Sequence, residues 1–448
     1  MKLLIVGGDD IGVEIASDLH RAHDVTVIDE DENRRSAFET LDVQFVRGNG
    51  ADPDDLREAG AEGVDALIAC TLNDDVNVLA CLAGKGLGAS RTLAFVSRQR
   101  YLDAFAVEGA MTRVGMTIDR VLWPQRILAR QIANIVRIPR AVDSASFAGD
   151  RIQMREYRLE EGDPFIGTPL AALDVPKSSL IVGSIRDESF IVPSGRTVLE
   201  AGDKVVFLGT KGSVTEVERA FAPRQRRMRV TIVGGGNVGF MVAERLQGPG
   251  VHLTIIEADG ERAEKLAQLL PGVLVLQGDG TDLELMEAER LDDSDAVVAV
   301  TNDDGKNLLA SLLAKQVGIP KVVTRVGRTR NRRLFERVGI DSPLTSRSAA
   351  LQEVLNWLHV DEVDHLATIE DRAEIMEVQY PESAMRGFIR DLGAPEHSLI
   401  GAIVHHDRVI IPSGDTELSP GDRLFIVTTP DNVAEVEGWL DRQCRADA

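Results

Sequence analysis

The sequence predicts an α/β protein made of two tandem copies of one unit, and three observations predict it. First, the 448 residues repeat themselves. Leu3 to Leu19 (LLIVGGDDIGVEIASDL) returns as Val230 to Leu246 (VTIVGGGNVGFMVAERL), Ala66 to Gly88 returns as Ala296 to Gly318, and Ser179 to Thr210 returns as Ser398 to Thr429. Second, the front of each copy alternates short Val/Ile/Leu runs with amphipathic helical stretches, the pattern of a parallel, doubly wound sheet covered on both faces. Third, the back of each copy carries short apolar runs broken by Pro193-Ser194-Gly195 and Gly202-Asp203, or by Pro412-Ser413-Gly414 and Gly421-Asp422. Such breaks are hairpin punctuation, and they predict a small α+β module. The expected architecture is therefore two Rossmann-like parallel-sheet domains, each followed by a small α+β module.

In chain order, the apolar run Leu3 to Val6 predicts a strand that feeds a glycine turn and a helix from about Gly12 to Arg21. Val25 to Ile28 predicts the next strand and Glu32 to Leu41 the next helix, followed by strands near Val43 to Val46, Ala66 to Ala69 and Thr92 to Val96. This places the first nucleotide-type domain at residues 1–122, a linking helix at 123–144 (Pro124 to Ile138) and the first back module at 145–222. The second copy gives 228–345, a linking helix at 346–363 (Ser346 to His359) and a back module at 364–448. Between the copies, the basic stretch Arg224 to Arg229 reads as a solvated linker.

Composition sets the class. With 44% apolar and 27% charged residues, a chain of this length supports two to four globular domains. Lys plus Arg number 50 against 72 Asp plus Glu, a net charge of −22 that opposes nucleic acid and an anionic membrane surface as partners. The apolar run after Met1 is too short for a signal peptide, and nothing approaches the length of a membrane span, so the expectation is a cytoplasmic protein without direct membrane insertion. Cys70, Cys81 and Cys444 are too scattered for a disulfide framework or a zinc site and read as reduced thiols.

The sharpest motif lies in the second copy. The strand Val230 to Val233 runs into Gly234-Gly235-Gly236-Asn237-Val238-Gly239 and then a helix. Gly234, Gly236 and Gly239 have the spacing that allows a tight turn, close approach to a pyrophosphate and close helix packing. The helix N-terminus supplies free N–H groups to phosphate. Eighteen residues after the last glycine, Glu257 ends the next strand, where an acid meets ribose hydroxyls. An acid there disfavours a 2′-phosphate, so NAD(H) fits better than NADP, and ATP/ADP remain open.

In the first copy Gly7 and Gly12 keep the outer positions and Asp29 supplies the acid, but the middle glycine is Asp9, with Asp10 beside it. A carboxylate there crowds and repels a pyrophosphate, so this site is expected to bind weakly, to bind something else or to have lost its ligand. At further strand ends, Gly278-Asp279-Gly280 and Gly48-Asn49-Gly50 can meet an adenine edge. Thr301-Asn302-Asp303 and Thr71-Leu72-Asn73 either close over the ligand or cap helices. Arg325 is a candidate phosphate partner, matched by Phe95 in the first copy. No catalytic pair, metal-ligand helix or Walker lysine can be assembled, and His405-His406 face Arg186-Asp187 in the other copy, which reads as a hairpin tip. The expectation is a binding protein rather than an enzyme, with an NAD-dependent oxidoreductase and a stand-alone nucleotide sensor as alternatives.

Over essentially its whole length the chain resembles the TrkA-type regulatory subunits of bacterial potassium uptake systems, built from two RCK (regulator of potassium conductance) units. The marks are VTNDDGKN (Val300 to Asn307), GDGTD (Gly278 to Asp282), Ile400 to Thr416, and the linking segment Asp119 to Ala141. The resemblance implies RCK C-terminal modules at the back, NAD(H) or ATP/ADP in the Rossmann-like domains, a homotetrameric ring, and docking on a TrkH/TrkG-like membrane potassium transporter gated by ligand exchange. By position it implies contacts from Gly7, Gly8, Asp9, Asp10, Ile11, Asp29 and Thr71. In the second copy it implies Gly234, Gly235, Gly236, Asn237, Val238, Glu257, Asp279, Thr301, Asn302 and Arg325. Because Asp9 and Phe95 break the pattern in the first copy, the second site is expected to dominate the response.

Overall fold

Buried runs of Val, Ile, Leu and Ala form the first sheet: β1 (Lys2–Val6), β2 (Asp24–Asp29), β3 (Val43–Arg47), β4 (Ala66–Ala69), β5 (Arg91–Phe95) and β6 (Arg120–Leu122). Its pairings are parallel, in the order β3-β2-β1-β4-β5-β6. The order reverses between β1 and β4, so the loops leaving these two strands diverge and open a crevice at their carboxyl ends. This is a computed structural model, and it describes the chain apart from residues 139, 188, 222–227, 359–362, 370–371, 385, 407 and 445–448.

Two local expectations shift. The first helix is Asp10–Leu19, starting two residues before Gly12, because the Asp9 side chain caps it. The expected helix over Glu32 to Leu41 is only a 3₁₀ stretch, Glu32–Ala37, since Phe38 is the one side chain there that buries fully. Its counterpart Gly260–Leu269 buries Ala263 and Leu266, three residues apart on one face, and is a full α-helix.

The first back module is an antiparallel sheet of β7 (Ala141–Phe147), β8 (Ile152–Arg158), β9 (Ser179–Arg186), β10 (Ser189–Ile191) and β11 (Lys204–Thr210), ordered β10-β9-β11-β8-β7, with the helix Lys211–Phe221 on one face. The second copy repeats both sheets. Its parallel sheet is β12 (Met228–Val233), β13 (Val251–Glu257), β14 (Leu274–Gln277), β15 (Ala296–Ala299), β16 (Val322–Arg325) and β17 (Ser342–Leu344), ordered β14-β13-β12-β15-β16-β17. Its back module holds β18 (Val363–Ile369), β19 (Ala373–Gln379), β20 (Gly387–Phe388), β21 (Ser398–His405), β22 (Arg408–Ile410), β23 (Glu417–Leu418) and β24 (Arg423–Thr428), with a closing helix Val433–Cys444. Of the basic stretch, 224–227 lie outside the described residues, while Met228 and Arg229 begin β12.

The copies interlock. The linking helix Pro124–Arg137 buries Leu128, Ile132 and Val136 against Val230, Ile232 and Leu253 of the second parallel sheet. Reciprocally, Ser346–Leu358 buries Ala350, Val354 and Leu358 against Leu3 and Ile5 of the first sheet and Ile15 of the helix Asp10–Leu19. Each exchanged helix is capped by a cation of the domain it enters. Arg91 donates to the carbonyls of Trp357 and Leu358, and Lys321 to those of Ile135 and Ile138. The two back sheets also share a core, where Gly401 lets Leu208 and Val182 approach across the interface. Cys70 and Cys81 are free and buried. Among the described residues no helix is long and apolar enough to cross a membrane.

Candidate functional site

The second cradle is built by the turn from β12 into the helix Asn237–Leu246. Gly234 sits at φ +104°, and a Cβ there would lie 2.9 Å from the Thr301 nitrogen. A Cβ on Gly239 would lie 1.9 Å from the Gly234 carbonyl oxygen, so these two glycines are fixed by the chain itself. Gly236 is different: a Cβ there meets nothing within 4 Å. The protein makes no demand for glycine at this point, so the open space is on the ligand side. Among the described residues no side chain caps this helix, which leaves the first-turn N–H groups of Asn237, Val238 and Gly239 to an incoming anion.

Glu257, at the end of β13, is buried, with Oε2 accepting from the Gly235 N–H at 2.8 Å and Oε1 from the Asp259 N–H at 2.9 Å. Its carboxylate is oriented before any ribose arrives, and it still has lone pairs to accept a hydroxyl proton. The turn after β15 is held by Asn307, which is buried. Its Oδ1 accepts from the Thr301 N–H at 2.8 Å and hydroxyl at 2.7 Å, and its amide donates to the carbonyls of Thr301 and Arg325. Asp303 caps the helix Asp304–Gln316, which is the capping role that the sequence left open.

Gly234, Gly236, Glu257, Asp279, Thr301 and Asn302 line one cavity of about 220 Å³. Two cations that the motif does not mark line it as well: Arg262, 3.7 Å from Glu257, and Lys306, 3.0 Å from Asp279. Hydrogen bonds from the Thr281 hydroxyl and N–H, and then Lys306, hold the Asp279 carboxyl down to about 2. Arg325 stands behind the turn, its guanidinium donating to the Thr301 carbonyl at 3.3 Å and to Asn302 Oδ1 at 2.6 Å, and burial pushes it below its ordinary value. It braces the cavity wall and does not line it.

The first copy reproduces the frame. Gly7 sits at φ +114°, Asp29 Oδ2 accepts from the Gly8 N–H at 2.6 Å, and Asn77 grips Thr71 as Asn307 grips Thr301. The phosphate position differs. Asp9 Oδ1 accepts from the Ile11 N–H at 3.1 Å and the Gly12 N–H at 3.5 Å, so the carboxylate sits on the groups a phosphate would use. Burial raises the Asp9 carboxyl above its ordinary value, opposed by those two N–H groups and by Arg34. Asp10 pairs with Arg347 of the exchanged helix, and Phe95 is buried in the core. His405 and His406 lie at the β21–β22 hairpin tip, where His405 bonds Asp422 at 2.5 Å in the place of the Arg186–Asp203 pair.

Residues 3–116 and 230–346 match the TrkA-N domain family, and residues 154–222 and 387–441 match the TrkA-C domain family. Over 98% of its length the chain is 34% identical to the Trk system potassium uptake protein TrkA homolog 2 of Methanosarcina mazei, covering 99% of that protein. It is 35% identical, over 98% of this chain and 99% of the relative, to the Trk system potassium uptake protein TrkA homolog of Archaeoglobus fulgidus. Identity to the Trk system potassium uptake protein TrkA of Halomonas elongata is 30% over 95% of each chain. Among solved structures, the GsuK RCK domain superposes with a TM-score of 0.62 at 20% identity, covering 98% of this chain and 95% of that one. The GsuK channel bound to NAD gives a TM-score of 0.62 at 21% identity, covering 98% and 79%. At these identities the structural likeness speaks to the fold alone.

Proposed function

The chain belongs to the TrkA family of Trk system potassium uptake proteins, and from that membership we propose that it is the nucleotide-binding regulatory subunit of such a system, gating a membrane potassium transporter from the cytoplasmic side in response to NAD(H) or ATP/ADP. The observation that carries the nucleotide reading is the second cradle, with Gly236 facing open space, an uncapped helix N-terminus behind it and the oriented Glu257 carboxylate beside it. Gly234 to Gly239 would hold the phosphates, Glu257 the ribose, and Asp279, Thr301 and Asn302 the remaining walls. In the first copy Gly7 to Ile11, Asp29 and Thr71 occupy the matching positions, with Asp9 already on the phosphate-binding N–H groups. Regulation of this kind needs no bond chemistry. A ligand shifts the assembly between two shapes by the difference of its affinities for them.

A ring of several copies is part of this proposal, and Leu79 on the helix Asp74–Gly86 and Leu309 on the helix Asp304–Gln316, at matching positions of the two copies, leave apolar side chains exposed to a neighbouring copy. The deciding experiment titrates the full chain with NAD⁺, NADH, ADP and ATP by calorimetry, and measures potassium flux through the co-expressed transporter, for wild type and Gly236→Asp. The reading expects Gly236→Asp to abolish tight binding and to uncouple flux from nucleotide. Unchanged affinity and unchanged flux in that variant would overturn it.

A further inference from the structure

We propose that Lys306 is the residue through which the second cavity reads the charge of its ligand: a nucleotide phosphate competes with Asp279 for the Lys306 ammonium, and the Asp279 carboxylate is released toward the base. This role rests on the nucleotide reading above.

Four observations carry it. Lys306 and Asp279 line the same cavity as Gly236 and Glu257, and their pair at 3.0 Å ties the loop after β14 to the helix Asp304–Gln316. Both side chains are about half exposed, 50% and 47%, and a solvent-facing pair of this kind is readily exchanged for a better partner. Asp279 does not need the lysine to stay in place, because its other oxygen accepts from the Thr281 N–H and hydroxyl at 3.0 and 2.8 Å.

Second, Lys306 lies in the first turn of its helix, three residues after the cap Asp303. A cation there faces the positive end of the helix dipole, so local helix energetics disfavour it. What offsets that cost is the Asp279 pair, which lies in the cavity and not on the helix. Third, the pair is not needed for the fold. The first copy has Asn49 and Val76 at the matching positions and builds the same loop and the same helix, Asp74–Gly86, without it. Fourth, the lysine and the open cradle go together. The copy with Lys306 leaves its helix N-terminus uncapped beside Gly236, and the copy without it fills that position with the Asp9 carboxylate. Lys306 and the open phosphate position thus occur in the same copy.

The test uses the full chain as wild type, Lys306→Gln and Asp279→Asn, titrated with adenosine, AMP and ADP. In wild type, affinity should climb along that series. Lys306→Gln should weaken ADP by about tenfold or more, the worth of one charge-assisted contact, while adenosine stays within about twofold. Asp279→Asn should leave the ADP-to-adenosine ratio intact or raise it, since the lysine is then uncontested. A Lys306→Gln variant that keeps the wild-type ratio, or that weakens adenosine as much as ADP, overturns the role and leaves the nucleotide reading standing. Absence of binding by wild type to all three would overturn both.

Discussion

Asp9→Gly gives the first cradle the residue that stands in the second, and the structure sets what it should do. The carboxylate caps the helix Asp10–Leu19 through one good bond to the Ile11 N–H, 3.1 Å, and a marginal one to the Gly12 N–H, 3.5 Å. Exchanging such a cap for glycine costs a few tenths of a kcal/mol, which in a chain of this size lowers the melting temperature by less than about 1 °C. The gain is on the ligand side. A carboxylate about 4 Å from a phosphate charge costs about 4 kcal/mol at an effective dielectric of about 20. Asp9 is half-buried, so solvent reduces that to about 1–2 kcal/mol, or about 5–30-fold in affinity. Calorimetry with ADP and NADH should find one tight site per chain in wild type, and a second, newly competent site in Asp9→Gly. Asp9→Asn separates the two effects: it removes the charge, keeps a capping group in the cradle, and should recover only part of the gain. Two results refute the reasoning: a wild-type chain that already takes two nucleotides with equal affinity, or an Asp9→Gly chain whose first site is no better than before.

Other perturbations follow from the same geometry. Asn307→Leu strips the partners from the buried Thr301 N–H and from the carbonyls of Thr301 and Arg325, so stability should fall by about 2–3 kcal/mol in denaturant titration and second-site affinity should fall with it. Asn77→Leu should destabilise equally yet leave the tight site alone, and a matching loss of tight binding there would count against the assignment. Glu257→Ala removes the ribose acceptor and the Gly235 partner, and should weaken NADH by about tenfold or more, whereas Asp29→Ala should not touch the tight site. Wild type should also prefer NADH to NADPH, and equal affinity for the two would contradict the role given to Glu257. Burial brings the Lys321 ammonium down to about 7, below the value of about 10.4 in an unfolded chain. Between about pH 7 and 10 the unfolded chain therefore binds the extra proton, and stability rises with pH across that window. The melting temperature of wild type relative to Lys321→Met should climb from pH 7 to 9.5, and a flat difference would refute the shift.

What the residue pattern made legible is what local order and period can encode. The alternation of apolar runs and helices gives both parallel sheets, and Gly234, Gly236 and Gly239 mark the cradle because it is made by six consecutive residues. The sign of Asp9 was legible as well, as a carboxylate where a phosphate should stand. Its consequence was not, since only the fold shows the side chain turned back onto the Ile11 and Gly12 N–H groups. Asn77 and Asn307 were readable in principle. Each breaks a buried helical stripe of small residues, Asn77-Ala80-Cys81-Gly84 in one copy and Asn307-Ala310-Ser311-Ala314 in the other. A polar side chain repeated at that place has to be satisfying something buried.

The exchanged linking helices lie beyond sequence reading for a physical reason. The apolar stripe on Pro124–Arg137 requires a cover, but hydrophobic burial is not directional, and nothing local distinguishes its own sheet from the sheet of the other copy. That exchange bears on how an unequal pair of sites can work. The segment after Arg325 leads to Thr329, whose hydroxyl donates to Glu14 at 2.7 Å, and Glu14 lies on the helix that Asp9 caps. Arg347, at the start of the exchanged helix, pairs with Asp10 on the same helix. The braced wall of the second cavity is thus joined through a few residues to the self-filled cradle of the first. On the proposed function, the copy whose N–H groups Asp9 already satisfies would be the reference and the other copy the one that responds to nucleotide. Contiguity alone does not establish coupling, so the double variant Thr329→Val with Asp9→Gly decides it: coupled sites give non-additive changes in ADP affinity, and additive ones would separate the two halves.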